Sequence, residues 1–479
     1  MLFSSLVFLY IFLPVTLLVY YVINPKLRNS FLFLASLIFF AWGGVSYSLI
    51  LIISIILNYV IGIQINKRHR RKTWLIAGIV LNLAFLIVFK YTNFIIENVN
   101  SAFNWLEIPT VKNPKIILPI GISFYTFQSI SYLVDVFRKT NDSQKSIINL
   151  GLYIALFPQL IAGPIVRYHD IQKQINQRIH SVDKFQQGIK RFIIGFAKKV
   201  IIANTMGYVA DQVFALNVDS IVPLFAWIGI IAYSLQIYYD FAGYSDMAIG
   251  LAKMFGFDLL ENFNFPYVSK SIKEFWRRWH ISLSSWFRDY LYIPLGGNRL
   301  GNGRTILNLL IVFFVTGFWH GASWNFLAWG LVHGFFLIIE RTRFGYILDK
   351  LPSFVRSFYT LFIVVMAWVL FRAENLNFAI EYYKVLFSTG SSEFDYFQLI
   401  KILNYETIVV FIIAVFGAMG GFMQIKGLLI KLLDITRLSV QKIELLKDLV
   451  YVCFMIFVLL YGTGSLVIDS YNPFIYFRF

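Results

Sequence analysis

The chain has 479 residues, 58% of them hydrophobic and 19% aromatic, with only 14% charged. Soluble domains carry about 25% charged residues, so the composition excludes a soluble multidomain protein and reads as an all-α polytopic membrane protein. The formal charge of +17 is assigned to basic connections between spans and to anionic lipid headgroups, with a smaller share left for an anionic substrate and none for nucleic acid.

Residues 3–23 supply the first apolar run long enough to span a bilayer. No basic residue precedes Lys26 and no small-residue cleavage site follows, so a retained span is expected here, not a signal peptide. Residues 30–65 exceed one span and read as two segments broken at Gly43 and Gly44. The cluster Lys67 to Lys72, KRHRRK, is placed in the cytoplasm, and His69 within it is given no role. Residues 73–90 return across the membrane. Residues 91–115, with Pro109 and Pro114, read as a loop with an interfacial piece. Two apolar segments follow, 116–137 and 146–166. Pro119, Pro158 and Pro164 fall in or beside them, and such breaks are tolerated at membrane depth only against protein or water.

Arg167 to Lys199 is basic, and Ile171, Ile175 and Ile179 recur every four positions. This predicts an amphipathic helix on the membrane surface, with His180 as a surface histidine. Spans are expected over 200–216 and 221–239. Asp240 and Asp246 then leave two readings open, a helix end near the headgroups or the polar lining of an internal cavity. Residues 258–304 hold seven Lys or Arg and four Asp or Glu, yet also Trp276, Trp279, Trp286, Phe287, Tyr290 and Tyr292. They read as a re-entrant or half-buried helical piece with irregular backbone, ending in the turn-rich LGGNRLGNGR. Residues 305–340 are too long for one span, so a bend is expected at Gly321 to Asn325. Residues 341–356 are basic and placed in the cytoplasm. Spans over 357–371, 406–424 and 449–468 complete the set, with amphipathic stretches at 372–405 and 425–448. Gly417 and Gly421 form a GxxxG packing pair. The total is about 10 to 12 spanning or re-entrant segments in a single integral membrane domain, 1–479, with 258–340 as its core stretch. The lone Cys453 excludes an intramolecular disulfide and a cysteine-based metal site.

The stretch Phe275 to Glu340 organises the chain. Its second half is apolar yet carries two histidines, each in a G-x-x-H-G pattern: Gly317 to Gly321, GFWHG, and Gly330 to Gly334, GLVHG. An ionisable residue inside a membrane segment is a functional hypothesis by default. His320 is the expected base, because a neutral imidazole accepts a hydroxyl proton near neutral pH. The small residues are read as leaving space beside the rings. Tight packing with each histidine bonded to a carbonyl is the competing reading. His280, in RRWHISLSSWFRD, is the second candidate. Around these lie Trp279, Asp289, Trp319, Ser323, Trp324, Asn325 and His333 as tunnel or substrate-contact candidates. Ser323 and Asn325 are read as able to orient a ring or polarise a carbonyl. Arg277, Arg278 and Arg288 suit bidentate contact with phosphates, with an Arg288 pair to Asp289 or Asp240 as the alternative. No HExxH or P-loop pattern occurs, GYSDM at Gly243 to Met247 lacks the last glycine of a nucleophile elbow, and no metal is expected.

FWRRWHISLSSWFRDYLYIPLGGNR followed by VTGFWHGASWNFLAWGLVHG resembles the membrane-bound O-acyltransferases, and within them the bacterial branch of alginate O-acetylases and peptidoglycan O-acetyltransferases. The N-terminal MLFSSLVFLYIFLPVTLLVYY, the FPQLIAGPIVRYHDI segment and the terminal FIYFRF are similar to that branch too, so the resemblance covers nearly the whole chain. It implies helices ringed around a central funnel or tunnel in a bacterial cytoplasmic (inner) membrane. It also implies acetyl-CoA as acyl donor with no permanently bound cofactor, a polysaccharide acceptor such as alginate or peptidoglycan, and an extracytoplasmic esterase-like (SGNH) partner. The family's indispensable histidine matches His320 and its second commonly cited one matches His280. His333 matches a histidine usual in this branch but not tied to the chemistry. D-alanyl transfer proteins share RWH and GFWHG but usually lack the PLGGNR run at Pro294 to Arg299, which favours acetyl transfer. D-alanyl or other acyl transfer, and a non-enzymatic polysaccharide or lipid conduit, are the alternatives.

Overall fold

Hydrocarbon offers the backbone no hydrogen-bond partner, so a spanning chain must satisfy its own amides. The computed structural model describes every residue except 68, 219–220, 390–401, 426, 428–439, 469–470 and 476–479, with backbone alone for 440–447. Among the described residues all regular structure is helical, and seven helices are long and apolar enough to cross a membrane. Three shorter apolar helices, Phe8–Val22, Trp324–Ile339 and Tyr405–Ala418, accompany them. The chain is therefore an all-α, multi-pass membrane protein. The amphipathic stretches expected at 372–405 and 425–448, and the end of FIYFRF, lie partly outside the described residues.

The first half forms a packed group of hairpins. Helix α1 (Leu13–Val22) leads through a short turn to α2 (Arg28–Ala41) and α3 (Val45–Asn66). Gly44, at φ +143°, makes the expected break between the last two. Helix α4 (Arg71–Leu86) does not stop where a loop was expected. It runs through a π-helical turn, Ile87–Tyr91, into α5 (Thr92–Trp105), giving one helix of 35 residues. The apolar composition fades at Thr92, and Asn93, Glu97, Asn98 and Asn100 follow, but backbone hydrogen bonding continues through them. Arg71 donates to the carbonyls of Ile65, Val136 and Phe137. The end of α6 (Ile122–Arg138) thus meets Arg71 at the end of the bundle that carries the basic cluster, its basic face.

Helices α7 (Ile147–Ala155) and α8 (Phe157–Leu160) are separated at Leu156, next to Pro158, and both are buried against protein. Of residues 167–199, α9 (Tyr168–Asn176) is a short separate helix with Tyr168, Ile171 and Ile175 buried. Helix α10 (Val182–Ala197) passes through a second π-turn into α11 (Asn204–Phe214) as one candidate span. Ile171 and Ile175 are buried but Ile179 is exposed, because the helix ends between them and the four-residue repeat was not one face. His180 is not a free surface group. Its Nε2 lies 2.8 Å from the Tyr20 hydroxyl.

Helix α12 (Pro223–Met254) has 32 residues and is almost wholly buried. It carries Asp240 and Asp246 in its interior, which overturns the helix-end reading of those residues. Each meets cations of α10 or the following turn. Lys199 reaches Asp240 at 2.7 Å with both side chains 2% exposed, and Arg191 and Lys198 reach Asp246 at 2.6 Å. A buried charge needs a partner, and these two need no cavity. The second oxygen of Asp240 accepts the Ile475 amide at 2.9 Å, and Lys199 donates to the Pro473 carbonyl. The segment before the C-terminus is thereby pinned inside the bundle. Past α12 come α13 (Ile272–Arg278), α14 (Ile281–Phe287), α15 (Asn302–His320), α16 (Trp324–Ile339), α17 (Arg343–Lys350), α18 (Ser353–Arg372), α19 (Leu376–Leu386), α20 (Tyr405–Ala418) and α21 (Val440–Ile468).

Candidate active site

The site is built on the α15–α16 hairpin. Ribs of glycine let the two helices touch. A Cβ on Gly317 would sit 2.4 Å from the Phe326 carbonyl, and one on Gly330 would sit 2.3 Å from the Phe313 carbonyl. The first glycines of the two G-x-x-H-G patterns therefore face each other across the hairpin, while the second glycines, Gly321 and Gly334, abut the side chains of Phe326 and Phe313. Helix α15 ends at His320, where Gly321 turns extended, and the expected bend at Gly321 to Asn325 is present.

The His320 ring is ringed by Trp319, Trp329 and Phe371, at 4.9, 5.0 and 5.2 Å between centroids and all edge-on. It is 5% exposed and borders a cavity of about 230 Å³ lined by Lys90, Pro119, Gly121, Ser123 and Trp319. A second cavity of about 590 Å³ adjoins, sharing Lys90 and lined by Asn93, Glu97, Ser323, Asn325, Arg372 and Glu374. Its polar rim marks the face opposite the basic one. Both lie at the tip of the hairpin.

A third cavity, about 430 Å³, lies along α13 to α15. It is lined by Lys273, Trp276, Arg277, Ser284, Arg288, Phe313 and Thr316. Trp276 and Trp329 stand between it and His320, their rings 5.8 Å apart. Glu340, at the end of α16, accepts the backbone amides of Ile272 and Lys273 at 2.6 and 3.0 Å and so holds the start of α13 against the hairpin.

The irregular backbone expected in 258–304 is present. His280 sits between α13 and α14 at φ +45°, a left-handed conformation uncommon outside glycine, in which asparagine, aspartate and histidine are the enriched exceptions. Its Nδ1 is 3.1 Å from the Asn262 side-chain oxygen, and its Nε2 has no partner among the described residues. It packs edge-on to Phe241 and lies 6.3 Å from the Trp319 ring. His280 and His320 thus flank the same indole. His333 is enclosed by Phe275, Trp276 and Trp329, with neither ring nitrogen bonded among the described residues. PLGGNR forms a turn with Gly296 and Gly297 at positive φ, stapled to α15 by Asn308, which donates 2.9 Å to the Gly297 carbonyl.

The other candidates separate into groups. Trp279 shares a small void with His320, Trp329, Trp368 and Phe371. Arg277 and Arg288 line the third cavity, while Arg278 pairs with Glu274 at 2.9 Å. Arg288 also pairs with Asp289, not Asp240, and Asp289 takes a second contact from Arg167 at 2.5 Å. Ser323 donates to Asn325, whose amide donates to the Leu370 and Ala373 carbonyls. Both line the outer cavity without a contact to the His320 ring. Trp324 is exposed and donates to Asn98 at 2.9 Å. Lys90 escaped the sequence reading. Its one signal in the sequence is a lone lysine closing an apolar run at Val88 to Tyr91, a pattern that also fits an ordinary span end.

Residues 78–380 match the model of the membrane-bound O-acyltransferase family. The chain belongs to the membrane-bound O-acyltransferase family. It is 41% identical over 492 residues to a probable alginate O-acetylase of Pseudomonas putida, covering all of both chains. To the corresponding protein of Pseudomonas aeruginosa it is 46% identical over 395 residues, 82% of this chain and 76% of the relative. To a peptidoglycan O-acetyltransferase of Helicobacter pylori it is 36% identical over 425 residues, 80% and 79% of the two chains. This O-acyltransferase is therefore an enzyme of the bacterial alginate and peptidoglycan O-acetylase branch, and a multi-pass protein of the bacterial inner membrane.

Proposed function

We propose that the protein takes acetyl from acetyl-CoA at the basic face and passes it to a hydroxyl arriving from the opposite face, for O-acetylation of an alginate-like or cell-wall polysaccharide, with His320 as general base. The observation that carries the reading is the position of His320. It borders a cavity on one side, and through Trp329 at 5.0 Å and then Trp276 at a further 5.8 Å it is linked to the lining of a cation-rimmed cavity on the other. Lys273, Arg277 and Arg288 suit the phosphates of the donor, and the apolar floor beyond them suits its acyl-bearing arm. The hydroxyl gives its proton to the imidazole as its oxygen attacks the thioester carbonyl. The thiolate leaves and takes a proton from the imidazolium, returning His320 to its neutral form. His280, held by Asn262 across Trp319, orders the wall of the same chamber.

An extracytoplasmic esterase-like partner that carries acetyl onward to the polymer is part of the proposal. His320→Ala should reduce polymer O-acetylation by about 10²- to 10⁴-fold, the usual contribution of a general base, while the protein still inserts. Acetylation at the wild-type level by that variant would refute the assignment. The same assay distinguishes D-alanyl transfer, since mass analysis of the polymer reads acetyl and D-alanyl esters separately.

A further inference from the structure

The last turn of α15 ends inside the protein, and the last four carbonyls of any helix lack partners within it. Here each carbonyl is accounted for. Gly317 accepts from the Gly321 amide at 3.3 Å. Phe318 accepts from the Tyr91 hydroxyl at 2.9 Å. Trp319 and His320 both accept from Lys90 Nζ, at 2.5 and 3.2 Å. Lys90 and Tyr91 lie in the π-helical turn Ile87–Tyr91. Such a turn shifts the side chains by one position relative to an α-helix, and this one turns two consecutive residues toward the same helix end. Tyr91 also stacks on Phe318, with ring centroids 4.1 Å apart and planes 9° apart.

We infer that Lys90 and Tyr91 are positioning residues for His320, forming a cationic cap that fixes the end of α15 and with it the imidazole. The third ammonium donor is directed at Ser123 Oγ, 3.4 Å away, so all three donors of Lys90 are directed at protein. That leaves none for substrate and separates a positioning role from a catalytic one. A cation at a helix C-terminus is favoured by the peptide dipoles, and a lysine in an apolar span is retained only for function or for a partner. Lys90 also lines both far-face cavities, so the cap forms part of the wall past which the acceptor must travel.

The inference rests on His320 acting as the base, and the experiment separates the two. In membranes containing the full chain, transfer from radiolabelled acetyl-CoA is measured for Lys90→Met, Lys90→Arg, Tyr91→Phe and His320→Ala, normalised to inserted protein. Misplacing a reacting group by about 1 Å costs up to about 10²-fold. Lys90→Met should lower kcat by that order with KM for acetyl-CoA unchanged, and Lys90→Arg should recover most of the loss, since the two cavities give a guanidinium room. Tyr91→Phe keeps the ring stack and removes one donor, so kcat should fall about 2- to 10-fold. It serves as the deciding variant if Lys90→Met does not accumulate. Wild-type kcat in Lys90→Met or, in that event, in Tyr91→Phe overturns the inference, as does a parallel rise in KM or an Arg variant as poor as Met. If His320→Ala is inactive while Lys90→Met is normal, only the cap is wrong. If His320→Ala is active, the base assignment fails whatever the cap does.

Discussion

Single residues divide into those whose chemistry can be read from the letters and those whose role is set by a distant neighbour. His320 stood out because imidazoles are rare in apolar sequence, and His280 because it sits in the aromatic, charged RRWHISLSSWFRD run. Lys90 did not, because nothing near it in sequence hints that it will meet a carbonyl 229 positions away. His280 is held at positive φ, a conformation asparagine tolerates and alanine does not. His280→Asn should therefore stay closer to wild type in thermal stability than His280→Ala, by about 1 kcal/mol, with both impaired in acetylation. A thermal melt in detergent checks the first part, and equal melting temperatures would contradict it. His169 was also hidden in the sequence. It lies outside the spans, 2.9 Å from Asp135, and that hydrogen bond raises its pKa above the ordinary value of 6.5 against partial burial. A raised pKa means stabilisation that is full below about 6.5 and fades as pH rises through the higher folded value. The melting difference between wild type and His169→Gln should accordingly be largest in mild acid and shrink toward alkaline pH. A difference independent of pH would contradict this account.

At the level of elements, what was legible was apolar length and its interruptions. Gly44 and Gly321 break the chain where expected, and the re-entrant character of 258–304 followed from aromatic rings mixed with charge. What was not legible was continuity. The composition changes at Thr92 and around Ala197, yet both helices run on, because the backbone ladder is indifferent to whether lipid or protein surrounds it. Likewise the polar Asp240 and Asp246 looked like a helix end until the cations of the neighbouring helix were in view. The hairpin offers a sharp test of packing. Gly317→Ala would force a methyl against the Phe326 carbonyl at 2.4 Å and should destabilise by about 1–3 kcal/mol, as overpacking does. Gly303→Ala, on the same helix with open space around it, should be neutral or slightly stabilising. Comparable losses in both variants would contradict close approach at Gly317 as the reason for that glycine.

For the whole molecule, the two halves of the chain are tied together around the site. The α4–α5 helix caps the hairpin tip, α6 supplies Ser123 and Phe127 beside it, and the C-terminal segment brings Ile475 to its edge. The Lys199–Asp240 pair holds that last segment. Lys199→Met leaves a buried carboxylate without its cation and should cost about 3–5 kcal/mol, much of which Lys199→Met with Asp240→Leu should recover. A double variant no more stable than the single one would contradict the pairing as the reason for the charge. The most direct test of the central claim is a structure of the full chain with a non-hydrolysable acetyl-CoA analogue. The account predicts its phosphates at Lys273, Arg277 and Arg288, its arm between Trp276 and Trp329, and its carbonyl carbon opposite the His320 ring, leaving room for a hydroxyl within hydrogen-bond reach of about 2.6–3.2 Å. An acyl group seated elsewhere, with Trp276 and Trp329 still closed over His320, would contradict it.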